Sequence, residues 1–144
     1  MSLTTRADGS VADDPTDTGS PSALRNALVD RLTSRGQIDD AGVEAAFRVV
    51  PRHLFLPQFP VGSVYEDQGF ITKTREGIAL SSSTGPGLMA YMLQKLDLRP
   101  GHRVLEIGGA TGYNAALIAH IDGESGSVVT VDIEPDVVED ARAP

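Results

Sequence analysis

Cysteine is absent from the 144 residues, which excludes a disulfide framework, a thiolate nucleophile and any cysteine-ligated zinc site. Basic residues are scarce: 12 Lys and Arg stand against 20 Asp and Glu, for a net charge of -8. That balance argues against a nucleic-acid backbone or an anionic membrane as partner. His53, His102 and His120 lie without ligand spacing, so no metal is expected. No apolar stretch approaches the ~20 residues that span a bilayer. The N-terminus has no basic start followed by an apolar run, so no signal peptide is read there. A soluble, cytoplasmic protein is the expectation. There is no internal repeat, and 40% hydrophobic residues over this length make one domain's worth of chain.

Residues 1–20 are rich in Asp, Ser, Thr and Gly without apolar periodicity, and are expected to form a disordered tail. Ser20-Pro21 reads as a helix start, with Ser20 as N-cap and Pro21 in the first turn. Leu24, Ala27, Leu28 and Leu32 then fall on one face, and Gly36 ends the run. A second helix opens at Asp39 or Asp40 and turns Val43, Ala46, Phe47 and Val50 inward until Pro51. Pro51 to Pro60 reads as an extended connection anchored by Leu54, Phe55 and Leu56. Leu80-Ser-Ser-Ser-Thr84-Gly-Pro86 reads as a hydroxyl cluster at a turn or helix cap. The helix that follows carries Leu88, Met92 and Leu96 on one stripe with Met89 and Leu93 beside it, the methionines as core filler.

The last third alternates strand and helix: a strand over Arg103–Ile107, a helix from Tyr113, and a second strand over Ser127–Val131 before Pro135. Strand-helix-strand of this length predicts a parallel crossover. Its first turn is Gly108-Gly109-Ala110-Thr111-Gly112, where a ligand meets the carboxyl ends of the strands. Gly108 suits the tight turn and Gly112 close helix-strand packing. Ala110 occupies the middle position, where left-handed backbone costs roughly 1 kcal/mol unless Gly109 supplies the freedom instead. Asp132 ends the second strand, where a carboxylate grips ribose hydroxyls, although a plain helix-capping role is open to it. Glu106, late in a buried strand, needs a cationic or hydrogen-bonding partner. The sulfonium and amino groups of S-adenosylmethionine would serve; a pyrophosphate would be repelled.

Four segments together resemble the protein-L-isoaspartate (D-aspartate) O-methyltransferases. Val50-Pro-Arg-His-Leu-Phe-Leu-Pro57 is similar to the family's VPRHxFVP signature, and Tyr65-Glu-Asp67 to its YxD segment. Ser83-Thr-Gly-Pro86 followed by Leu88-Met-Ala90 stands in the place of I-S-Q-P-x-M-V-A, and Val104 to Tyr113 is similar to the cofactor loop. The resemblance runs from about Leu24 to the end of the sequence.

The resemblance implies an α/β, Rossmann-like class I methyltransferase with a doubly wound sheet, here with an N-terminal helical extension and a truncation after about two strands. Such a fragment would leave apolar strand faces bare unless a second chain completes the sheet. The implied activity moves a methyl group from S-adenosylmethionine to the free carboxylate of an isoaspartyl residue in a damaged protein or peptide. Glu106, Gly108, Gly109, Ala110, Gly112 and Asp132 are the implied cofactor residues. Thr84 falls on the family's acceptor-orienting serine, with Ser83 beside it where the family has Ile. That altered segment leaves room for a dedicated peptide acceptor of a biosynthetic pathway. A non-catalytic cofactor-binding fragment is a further reading, and a nicotinamide-dependent oxidoreductase fits less well.

Overall fold

Helix starts are fixed locally by side chains that satisfy exposed backbone donors. In the computed structural model, which describes residues 19–142, Ser20 Oγ accepts from the Ala23 N–H at 3.2 Å and opens α1 (Pro21–Ser34). Most of the expected tail lies outside the described residues; its last member, Ser20, is buried as this cap. Asp40 does the same for α2 (Ala41–Val49), accepting from the Val43 N–H at 2.9 Å. Val43, Ala46, Phe47 and Val50 are all buried as the spacing predicts. On α1 the buried face is Leu28, Val29 and Leu32, while Ala27 is exposed. The helix meets both α2 and the short α3 (Val61–Val64), so its contact stripe shifts towards Val29.

Between the prolines the chain is coiled rather than extended. Arg52–Phe55 forms a 3-10 turn that buries Arg52, and Leu56 follows it fully buried; Leu54, expected to anchor, is exposed. Three prolines limit this segment to a single turn, which can direct only some of its apolar side chains inward.

The hydroxyl cluster is likewise a strand and not a cap. β1 (Phe70–Arg75) and β2 (Ile78–Ser83) pair antiparallel around Glu76-Gly77, both at positive φ (51° and 78°). Serines hide the strand signal, since they are weak β-formers; here cross-strand contacts such as Thr72 Oγ1 to Ser81 Oγ at 3.0 Å supply the pairing.

Asp67 caps the next helix, α4 (Pro86–Leu96), by accepting from the Gly87 N–H at 2.7 Å. A Cβ on Gly87 would lie 2.7 Å from Asp67 Oδ2, so only glycine lets the carboxylate this close. Met89, Ala90 and Leu93 face the core, whereas the expected stripe of Leu88, Met92 and Leu96 is exposed. The helix has two apolar stripes side by side, and periodicity does not say which one packs.

The last third is the crossover. β3 (Arg103–Ile107) and β4 (Ser127–Val131) are parallel, in register from Arg103↔Ser127 to Ile107↔Val131, joined through α5 (Tyr113–Asp122) and followed by α6 (Pro135–Asp140). Val104 and Val128 turn towards a core built from α1, α2, α4 and α5, with Phe47 and Phe55 meeting the Tyr113 ring edge-on. On the other sheet face the cross-strand pairs Leu105–Val129 and Ile107–Val131 stay exposed, Ile107 at 82%. Parallel sheets are ordinarily covered on both faces.

Asp122, at the end of α5, is 1% exposed and neither carboxylate oxygen has a hydrogen-bond partner. Burial pushes its pKa up, with His102 pulling weakly the other way. A carboxyl raised in the folded state stabilises below its unfolded pKa, and that contribution is lost as pH rises through the folded value. Asp122→Asn is therefore expected to raise stability at pH 7 by about 1 kcal/mol, with the gain shrinking towards acid pH in thermal melts.

Candidate cofactor and acceptor site

The turn between β3 and α5 is made from residues that spend their own donors. Gly108 and Gly109 N–H groups both donate to the Val131 carbonyl, at 2.8 and 3.1 Å. The Ala110 N–H donates to Asp132 Oδ2 at 3.0 Å, and the Gly112 N–H to the Gly109 carbonyl at 2.8 Å. A phosphate-binding loop needs such amides aimed at its ligand. These four are committed inside the chain.

Backbone strain falls on Ala110 itself, at φ 45°, with Gly108 at 90° and Gly112 at 80°. Gly109 does not take up the left-handed conformation in its stead. Its glycine serves space: a Cβ there would meet Thr130 Oγ1 at 2.3 Å. Gly112 approaches Ala141 beyond α6, with an added Cβ 3.3 Å from the Ala141 Cβ, rather than a strand.

Glu106 finds its partners within the chain. Asn114 Nδ2 donates to Oε1 at 2.7 Å and Thr130 Oγ1 to Oε2 at 2.6 Å, so two neutral donors hold the carboxylate. Glu106 is half-buried on a strand where it alternates with exposed residues, and not buried as the sequence predicts. Asp132 accepts from the Ala110 and Glu134 N–H groups, at 3.0 and 3.1 Å, and those bonds hold its carboxyl below the usual carboxylate range.

A cavity of about 240 Å³ brings the loop and the hydroxyl segment together. Glu106, Gly108, Gly109 and Ala110 line one side, and Ser83 and Thr84 the other. Gly112 and Asp132 lie outside this lining, Gly112 behind the turn and Asp132 beneath Ala110. Met89 and Met92 also line it; Met89 serves the core as well, whereas Met92, expected as core filler, is exposed. Among the described residues, Glu106 is the only charged one in the lining. Ser83 is 2% exposed and its Oγ has no partner among the described residues.

Arg52 was not singled out by sequence, yet it pins this arrangement. It is fully buried and donates to the carbonyls of Gln68 at 3.3 Å and Thr84 at 3.0 Å. Its guanidinium lies 5.1 Å from the centre of the Tyr113 ring, the first residue after the glycine turn. Burial pulls its pKa down, offset in part by Tyr113, Asp67 and Tyr65. The signal available was the arginine among prolines and apolar residues, where an exposed side chain has nowhere to go.

A family model described as protein-L-isoaspartate(D-aspartate) O-methyltransferase matches residues 23–144. The chain belongs to this family. Among curated relatives, the protein-L-isoaspartate O-methyltransferase of Methanopyrus kandleri is 37% identical over 82% of this chain and 50% of its own length. Protein-L-isoaspartate O-methyltransferase 2 of Archaeoglobus fulgidus is 39% identical over 83% of this chain and 52% of its own length. The chain thus spans about half the length of these relatives. A solved protein-L-isoaspartate O-methyltransferase superposes with a TM-score of 0.73 at 37% identity, over 82% of this chain and 37% of that one. A Plasmodium falciparum β-aspartate methyltransferase in complex with S-adenosyl-L-homocysteine shares the fold, with a TM-score of 0.67 at 22% identity over 82% of this chain and 53% of that one. The Rossmann-like architecture implied by the sequence is therefore the family's.

Gly109→Ala tests the local packing. Its Cβ would displace the Thr130 hydroxyl and break the bond to Glu106, at an expected cost of about 1–3 kcal/mol in denaturant melts. Combined with Thr130→Ala, which removes the clash, the loss should fall below the sum of the single variants.

Proposed function

We propose that the chain carries the cofactor and acceptor segments of an S-adenosylmethionine-dependent carboxyl O-methyltransferase acting on L-isoaspartyl residues of damaged proteins or peptides. One observation carries this reading: Ser83 and Thr84 share a small cavity with Glu106 and a glycine turn in which the amides of Gly108, Gly109 and Ala110 are already spent. Such a site suits a cationic, phosphate-free cofactor and disfavours a pyrophosphate. When bound, S-adenosylmethionine supplies a methyl group on a positively charged sulfur.

The fit rests on the chain's own donors and acceptors. Both Glu106 oxygens accept one bond each, which leaves lone pairs facing the cavity for an ammonium group. Asp132 is held anionic by two N–H groups, as a carboxylate that accepts ribose hydroxyls needs to be. The buried Ser83 hydroxyl lacks a partner, and a ligand oxygen in the cavity would provide one.

Little chemistry is asked of the protein. An isoaspartyl carboxylate is ionised at neutral pH, so no general base is required. The demand is alignment of one carboxylate oxygen with the methyl group. Thr84 meets it with a hydroxyl that donates to the acceptor carboxylate, from a backbone pinned by Arg52. Met89 and Met92 add apolar lining to the same cavity.

The bare face of Leu105, Ile107, Val129 and Val131 favours a second reading, in which this chain binds cofactor without turnover until that face is covered. Methyl transfer from labelled S-adenosylmethionine to an isoaspartyl peptide, against its aspartyl isomer, separates the two. Turnover confined to the isoaspartyl peptide is expected. Thr84→Val should lower kcat/KM by about 10²-fold while Thr84→Ser retains most of it. Equal labelling of both isomers, or indifference to Thr84→Val, would sink the acceptor assignment.

A further inference from the structure

Glu134 stands where the two halves of the site meet. The β1–β2 hairpin delivers Ser83 and Thr84 to the cavity, and near its tip Lys73 and Arg75 reach across to the start of α6. Lys73 Nζ lies 2.5 Å from both Glu134 Oε2 and Asp136 Oδ1, and Arg75 Nη2 lies 2.8 Å from the same Glu134 oxygen. Exposed ion pairs usually contribute little. Here the Lys73 and Glu134 side chains are only 18% and 14% exposed, and two cations converge on one oxygen. Main-chain geometry continues the connection: the Glu134 N–H donates to Asp132 Oδ1, whose other oxygen accepts from Ala110. Beneath this bridge lies a larger cavity of about 680 Å³, lined by Lys73, Asp136, Ala110 and Thr111 among others.

We propose that Glu134 is a positioning residue that couples the acceptor hairpin to the cofactor turn, its carboxylate gripping Lys73 and Arg75 while its N–H grips Asp132. The inference rests on reading Thr84 and Asp132 as acceptor and cofactor groups. Its physical consequence is that releasing the carboxylate, which lies 59 and 61 residues from Arg75 and Lys73 in sequence, loosens both the hairpin and the turn. The hairpin strands pair chiefly with each other, so little else holds the tip in place. At its base it is tied by Arg52 and by Phe70 against Phe59, with ring centres 4.5 Å apart.

Glu134→Gln and Lys73→Met, singly and together, test this in the full 144-residue chain. Amide hydrogen exchange without ligand should accelerate both over residues 70–83 and at Ala110 in each variant. Affinity for S-adenosylhomocysteine should fall by about fivefold or more for Glu134→Gln, with the double variant no worse than Glu134→Gln alone. Thermal melts check that the variants fold, and their midpoints should move little. Faster exchange in the hairpin with an unchanged Ala110 amide would overturn the coupling, as would affinity losses that simply add. If the parent chain binds no S-adenosylhomocysteine, the cofactor reading fails, and the exchange data alone then decide whether Glu134 couples the two segments.

Discussion

One carboxylate holds the end of the parallel sheet together. Asp132 follows β4 and accepts from two backbone N–H groups, those of Ala110 in the glycine turn and Glu134 at the start of α6. Without it, Ala110 would have neither the partner nor the constraint that offsets its left-handed backbone, a cost of roughly 1 kcal/mol. The same bonds keep Asp132 charged, because each N–H stabilises the anion over the acid. The contact that shapes the turn therefore also preserves the negative charge of Asp132.

Electrostatics around the turn follow from what is already satisfied. The amides of Gly108, Gly109, Ala110 and Gly112 all have acceptors inside the chain, so these four donors are not available to a ligand. Among the described residues Glu106 is bonded by the neutral donors of Asn114 and Thr130, and it lines the cavity. A glycine-rich turn after a strand is often taken as a nucleotide signal without distinguishing the nucleotide. Counting where each donor goes distinguishes it.

Much of this was legible in the sequence, and for identifiable reasons. Ser20, Asp40 and the two parallel strands carry local signals, caps and β-branched runs, that tertiary context did not override. Ala110 was visible as the strained position, but not that it would bear the strain while Gly109 made room for Thr130, since that depends on a side chain 21 positions away. The β1–β2 hairpin was missed because its serines read as turn formers until a partner strand is in view. The packed face of α4 was misjudged because two apolar stripes adjoin and only the neighbouring helices choose between them. Arg52 and Glu134 act through partners distant in sequence; the setting of Arg52 among prolines and apolar residues hints at burial, whereas nothing in residue type or spacing announces Glu134.

The central proposal is that this turn, with Glu106 lining its cavity and Asp132 bracing Ala110, forms a site for a cationic, phosphate-free nucleoside cofactor. Calorimetric titration of the folded chain with S-adenosylhomocysteine, and in parallel with NADH, tests it most directly. Saturable binding of S-adenosylhomocysteine at one site, with no heat from NADH, is the predicted result. Binding of NADH in preference, or equal binding of both, would contradict the account.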